Sequence, residues 1–280
     1  MRIELKGIGV AYKDWKLENF SSVFKSGSFV SVLGPSGSGK TTLLRLLCGL
    51  EKPSSGKILF GEKDVTKTAP EERGLGVVFQ GNSLFSHLDV FGNVAFGLKM
   101  KKEKDLEKKV SEALRLVHFE GFGRRNVNFL SGGEQKRVAI ARAIAFNPSA
   151  LLLDEPFNGL DGKLKEGMKL FLKELRAKTG LTVILVTHDL DEAFFLSDRL
   201  IVMNNGSKEQ EGTPFDVLLK PANSFVKDFF SDYFVVEAKQ QKSRKGNVII
   251  GNFSVPAQSG SGKPVIIFKK TNYRFIDGKT

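Results

Sequence analysis

One run constrains this 280-residue chain more than any other: Gly34-Pro35-Ser36-Gly37-Ser38-Gly39-Lys40-Thr41-Thr42. It follows the apolar segment Phe29 to Leu33 and leads into the apolar segment Thr41 to Leu50, giving the order strand, glycine-rich loop, helix. Glycines let successive backbone N–H groups turn inward around an anion. The helix that follows points its positive end at the same place, and Lys40 adds a full charge for the outer phosphates of a nucleotide. Thr41 can set its hydroxyl on Mg²⁺. A Gly/Ser-rich turn would account for the glycines but not for Lys-Thr placed between an apolar strand and a helix.

The rest of the chain reads as α/β. Short alternating strands at Ile3 to Gly9, Lys16 to Phe24 and Phe29 to Leu33 predict an N-terminal antiparallel β subdomain. From about Leu84 to Phe146 the pattern turns helical, with Leu106, Val110, Ala113, Leu114 and Val117 at three- and four-residue spacing, which predicts an inserted helical subdomain. Unbroken apolar strands at Ala150 to Leu153 and Thr182 to Val186, separated by an amphipathic helix from Leu164 to Lys178, suit a mostly parallel sheet covered on both faces. A hairpin around Asn204-Asn205-Gly206, two short helices through Phe230 and a β-rich tail from about Val235 follow. The expected division is a main nucleotide-binding domain over 1–234 and a short basic β-rich extension over 235–280.

The phosphate loop alone fits kinases, GTPases and many ATPases, and two further segments narrow the class. Leu130-Ser131-Gly132-Gly133-Glu134-Gln135 precedes a helix expected from Lys136 to Phe146, and Ser131 with Glu134 has the form of a capping box. Two glycines in a first helical turn cost about 1 kcal/mol each relative to alanine, a cost that makes sense if a second anion docks on the bared N–H groups. In Ala150-Leu151-Leu152-Leu153-Asp154-Glu155-Pro156 a buried strand ends in two carboxylates whose side chains diverge. Asp154 is suited to bind Mg²⁺, directly or through water, and Glu155 to polarise an attacking water.

These three segments, in this order, resemble the ATP-binding-cassette ATPases over about residues 2 to 230. The resemblance implies further roles. Tyr12 would stack on adenine, with Trp15 as fallback; Gln80 would touch Mg²⁺ and the attacking water; His188 would contact the γ-phosphate. Lys40, Thr41, Thr42 and the loop residues Gly34, Pro35, Ser36, Gly37, Ser38 and Gly39 would hold ATP. Ser131, Gly132, Gly133 and Glu134 would close over the ATP of a partner subunit, and Asp161 would sit in the loop that communicates across that dimer. Asn158-Gly159 stands where many relatives carry Ser-Ala, and Glu134 where Gln is common. Asp89 to Leu98 and Glu211-Gly212-Thr213-Pro214 look most like the importer ATPases for polyamines, ferric iron, sulfate and sugars, and Gly81 to Leu98 like the segment that receives a helix from the transmembrane subunit.

The expected partners are a second identical or related ATPase subunit, transmembrane permease subunits and a substrate-binding protein. An exporter ATPase is the alternative within the same class, and a nucleic-acid-directed cassette protein the alternative outside it. The net charge of +12 keeps the latter alive, but seven of those charges come from Glu237 to Lys279, where anionic lipid explains them as readily. Lys40 and Ser131 are also too close in sequence for the long coiled coil of chromosome-type relatives, so no specific nucleic-acid partner is expected. No apolar run approaches a membrane span, the first six residues lack a secretion signal, and Cys48 is the single cysteine. The chain is therefore expected at the cytoplasmic face of the membrane, held there by its permease.

Overall fold

The computed structural model describes residues 1–81 and 84–237 and the backbone of three further strands at 247–250, 253–256 and 265–269, with side chains described as far as residue 233. In chain order the elements are β1 (Ile3–Ala11), β2 (Lys16–Phe24), β3 (Phe29–Leu33), α1 (Lys40–Cys48), β4 (Ser55–Phe60), β5 (Lys63–Asp64) and β6 (Leu75–Val78). Next come α2 (Val90–Met100), α3 (Leu106–Leu116), α4 (Gly132–Ile144), β7 (Ala150–Asp154), α5 (Gly162–Thr179), β8 (Thr182–Val186) and α6 (Leu190–Leu196). The chain ends with β9 (Arg199–Asn204), β10 (Ser207–Gly212), α7 (Pro214–Leu219), α8 (Ser224–Phe229), β11 (Tyr233–Glu237), β12 (Asn247–Ile250), β13 (Phe253–Pro256) and β14 (Val265–Lys269).

The chain divides into two compact units, Met1–Glu211 and Gly212–Thr280. In the first, β2-β1-β4-β5 form an antiparallel sheet, and β10-β9-β3-β8-β7-β6 form a six-stranded sheet whose β9, β3, β8, β7 and β6 run parallel. Strand β3, grouped by its alternation with the N-terminal strands, instead lies at the centre of the parallel sheet. All five of its residues are buried, as a strand flanked on both sides requires. Alternate residues of the central strands feed two cores: Val32, Leu152 and Ile184 pack with α1 and β1, while Leu151, Leu153 and Leu185 pack with α2 to α5. Cys48 belongs to the former.

Parallel pairing sets the functional edge. Val32 pairs with Val186, Val186 with Asp154, and Leu153 with Val78, so the strands before the phosphate loop, His188, Glu155 and Gln80 end level with one another. Ligands of open α/β sheets gather outside such carboxyl ends. The helical region resolves into α2, α3 and α4, which pack on one another. Helix α4 starts at Gly132 rather than Lys136, because Ser131 caps it and draws both glycines into the first turn. In the second unit, β11 pairs with β14 and β12 with β13, both antiparallel. The basic residues Lys239, Lys242, Arg244 and Lys245 lie outside the described residues.

Candidate functional site

Loop geometry follows from what surrounds the glycines. Gly34 adopts φ +155°, and a Cβ there would stand 2.2 Å from the carbonyl oxygen of Met203 in β9. Gly39, at φ +101°, has the Trp15 ring where its Cβ would go, 2.4 Å away. Only glycine fits either position. Helix α1 begins at Lys40 with Gly39 as its N-cap and no side-chain cap, so its first-turn amides are left for an anion. The Asn205-Gly206 turn, with φ +49° and +78°, closes β9 and β10 behind the loop, and Gly206 N donates to Ser38 O at 3.1 Å.

Lys40 is 6% exposed and donates from Nζ to the carbonyls of Gly34 and Pro35, both at 2.8 Å. Burial pushes its ammonium below the usual lysine range, and the charges of Glu155 and Asp154 offset part of that. Asp154 is 3% exposed, and the Thr41 hydroxyl donates to its Oδ1 at 3.5 Å. Burial pushes the Asp154 carboxyl up, with the Thr41 hydrogen bond pulling the other way. Such a carboxylate is costly without a cation. The Thr41 hydroxyl and the Asp154 carboxylate form an oxygen donor pair that suits Mg²⁺, and Gln80 reaches the neighbouring Glu155. Among the described residues, no three His, Cys, Asp or Glu form a metal cage. A hydroxyl and one carboxylate leave most of an octahedral shell to other oxygens.

Glu155 turns out of β7 at φ +46°, a left-handed backbone that costs a non-glycine residue about 1–2 kcal/mol. Its N–H donates to Val186 O at 2.9 Å, which locks the turn to β8. Its carboxylate is surrounded: Gln80 Nε2 donates to Oε2 at 3.4 Å, Asn158 Nδ2 donates to the same oxygen, and His188 Nδ1 lies 3.0 Å from Oε1. Thus Lys40, Thr41, Asp154, Glu155, Gln80 and His188 come together at one sheet edge. Tyr12, 46% exposed, lies 5.9 Å from Trp15 between ring centroids. Burial and the neighbouring Glu51 push its phenol up, and Thr42 hydrogen-bonds it in the opposite sense.

Ser131 and Glu134 make their hydrogen bonds elsewhere. Glu134 Oε2 accepts from Ser131 N at 2.7 Å and from Ser131 Oγ at 2.8 Å, and Glu134 N donates back to Ser131 Oγ at 3.4 Å, which completes the capping box. Arg125 adds an ion pair at 3.2 Å, and Glu134 is held below the usual carboxylate range chiefly by the Ser131 backbone. A Cβ on Gly132 or Gly133 would meet Leu160 at 3.7 Å or Leu164 at 3.6 Å, ordinary contacts. The turn over residues 131–134, the signature turn, therefore sits beside the Asp161 loop. Asp161 itself caps α5, accepting from Leu164 N at 2.9 Å.

Sequence reasoning missed five contributors. Met203 and Gly206 shape the phosphate loop from β9 and its turn, and the only local signal was the Asn-Gly hairpin. Asn158, noted for departing from relatives, is a hydrogen-bond donor to Glu155. Asp189 and Glu192, spaced as a cap and its third residue, anchor the segment after His188.

A family pattern described as ABC transporter matches residues 17–158. The chain is 44% identical over 263 residues to a spermidine/putrescine import ATP-binding protein, PotA, from Oleidesulfovibrio alaskensis, covering 92% of this chain and 70% of that protein. Among solved structures it resembles cbiO1 from Clostridium perfringens, part of the ABC transporter complex cbiONQ, with TM-score 0.72, 32% identity, and coverage of 79% of this chain and 91% of that one. It also resembles a dimeric bacterial ABC transporter cassette, with TM-score 0.66, 34% identity, and coverage of 76% and 98%. A post-hydrolysis dimer of that cassette, bound to ADP and Pi, matches with the same figures.

Proposed function

Because the chain belongs to the ABC transporter family of ATPases, we propose that it drives a membrane importer as one of two subunits that close head to tail around two ATP molecules. The observation that carries this reading is the signature turn. Gly132 and Gly133 have ordinary backbone angles and room for a Cβ, so nothing among the described residues demands glycine there. What requires bare backbone must come from outside, and the phosphates on a partner's loop supply it.

In this reading the amides of residues 36–41 bind the β- and γ-phosphates, and Lys40 exchanges the Gly34 and Pro35 carbonyls for phosphate oxygens. Thr41 and Asp154, with Gln80, would hold Mg²⁺, whose charge offsets that of the phosphates. Tyr12 stacks on adenine, a contact of about 1–3 kcal/mol. Glu155 orients the attacking water and takes its proton, while His188, 3.0 Å away, faces the γ-phosphate and fixes the carboxylate. Ser131 and the amides of Gly132 and Gly133 come from the partner and stabilise the charge that spreads in phosphoryl transfer. Asp161 then reports closure between the two sites.

Permease docking falls to the region from Gly81 to Leu98, of which residues 82 and 83 lie outside the described set. Asn93 is buried and ties the loop to α2, accepting from Phe85 N at 2.8 Å and donating to Phe85 O at 3.1 Å and Asp89 O at 3.0 Å. The Phe85 and Phe96 rings lie 4.4 Å apart on this face. Such a surface suits an apolar helix. No helix among the described residues is long and apolar enough to cross a membrane. Similarity to a spermidine/putrescine import protein supports a small cationic solute as cargo, with selection made by the permease and a binding protein. Residues 1–234 carry the engine, and 235–280 are an extension.

The test is Glu155→Gln. ATP binding, read by fluorescence of Trp15, the single tryptophan, whose ring lies on Gly39, is expected to persist, while turnover falls at least about a hundredfold. Light scattering should then find an ATP-dependent dimer. Unchanged turnover removes Glu155 from the chemistry, and an ATP-bound monomer removes the shared-nucleotide dimer.

A further inference from the structure

Lys165 stands where a helix dipole disfavours it. It occupies the first turn of α5, a turn with no acidic residue of its own, and its N–H donates to the carbonyl of the cap residue Asp161 at 2.8 Å. Two carboxylates from another element account for a cation there. Lys165 Nζ lies 2.5 Å from Asp189 Oδ2 and 2.8 Å from Glu192 Oε1.

Both acids frame His188. Asp189 follows it directly and caps α6 by accepting from Glu192 N at 3.1 Å. Thr187, immediately before it, donates its hydroxyl to Glu192 Oε2 and accepts from Asp189 N at 3.0 Å. Glu192 is 3% exposed, and buried Lys136 of the signature helix α4 adds its charge to the same carboxylate. Burial pushes the Glu192 carboxyl up, while Lys165 and Thr187 hold part of that rise back. The Lys165 ammonium is pushed up despite burial, because Asp189 and Glu192 accept from it. The residues flanking His188 are therefore closed into one hydrogen-bonded ring, and Lys165 joins that ring to the Asp161 loop.

We propose that Lys165 is a positioning residue which, through Asp189 and Glu192, sets the place of the His188 imidazole opposite Glu155 and transmits displacement of the Asp161 loop to it. The inference rests on the role given to His188 above. A second copy pressing on the Asp161 loop moves the first turn of α5. A paired ammonium at 2.5–2.8 Å leaves little slack, so the His188 segment follows. Engagement of one subunit thereby tunes turnover in the other.

The experiment is steady-state MgATP hydrolysis by the full chain as wild type, Lys165→Met, Lys165→Arg, His188→Ala and the Lys165→Met/His188→Ala double variant. Lys165→Met is expected to lower kcat about tenfold with KM within about twofold, since ground-state binding is untouched. Lys165→Arg should recover to within about threefold, because a guanidinium spans both carboxylates. In the His188→Ala background, Lys165→Met should cost less than about twofold more, the mark of two residues acting as one. Should Lys165→Met fold poorly with Glu192 left without its lysine, Lys165→Met/Glu192→Gln restores the net charge of the cluster and keeps an acceptor for Thr187. It should show the same tenfold loss. Wild-type kcat in that pair, or losses at Lys165 and His188 that multiply, would overturn the inference. If His188→Ala alone keeps full turnover, the role of His188 falls first; if it loses turnover while Lys165→Met does not, only the tie between them falls.

Discussion

The phosphate loop and the signature turn are both glycine-rich helix starts, yet their glycines answer to different surroundings. At Gly34 and Gly39 the reasons lie inside the chain, where a Met203 carbonyl and the Trp15 ring occupy the space of a Cβ and the backbone is left-handed. At Gly132 and Gly133 the described residues impose nothing: Leu160 and Leu164 leave ordinary van der Waals room. The helices are capped in opposite ways as well. Helix α1 has no side-chain cap, whereas α4 has a complete capping box that engages Glu134 N but not the amides of Gly132 and Gly133. One half-site is thus specified by its own fold, and the other by a surface it has yet to meet.

Alanine at each place should break the two apart. Gly34→Ala drives a methyl into the Met203 carbonyl at a φ that alanine resists, and about 3 kcal/mol or more of stability should be lost together with ATP binding. Denaturant unfolding and nucleotide titration would both register it. Gly133→Ala should behave otherwise, unfolding at equal or higher denaturant because alanine gains up to about 1 kcal/mol in a helix, while keeping ATP affinity. If the proposed partner phosphate needs bare backbone at this helix start, turnover should nevertheless fall about a hundredfold. Equal turnover in Gly133→Ala would sink the asymmetry.

What the sequence made legible was whatever lies close along the chain. The strand, loop and helix around Lys40, the paired acids at the end of β7 and the box at Ser131 each need only a few neighbours in order, so their residues announce them. Contacts between distant segments left weaker traces. Trp15 against Gly39 and Met203 against Gly34 join the phosphate loop to the β1–β2 turn and to β9, and nothing in either stretch names its partner. Strand β3 alternates like its N-terminal neighbours but pairs with β8 and β9, because pairing is decided by what covers both faces and not by local pattern. Lys165 illustrates the same limit at the site. An isolated reading makes it a solvated helix lysine, and only the fold brings Asp189 and Glu192 to it.

The smallest effect tests whether the capping box is as self-sufficient as the comparison requires. Glu134 accepts two hydrogen bonds from Ser131 and pairs with Arg125, and these hold its carboxyl below the ordinary value of 4.5. A depressed folded-state value means that the charged form contributes stability above about pH 4.5, and that this contribution fades as pH falls through the lower folded value. Glutamine keeps an acceptor for Ser131 but gives up the charge. Glu134→Gln should therefore melt slightly below wild type at pH 7, by about 0.5–1 kcal/mol at most because the side chain is partly solvated, and the gap should close in acid. Melting curves from pH 7 to pH 3 measure it directly. A gap that instead widened in acid would mean that the neutral side chain holds the turn better than the carboxylate does. The signature helix would then owe its start to something other than its own chain.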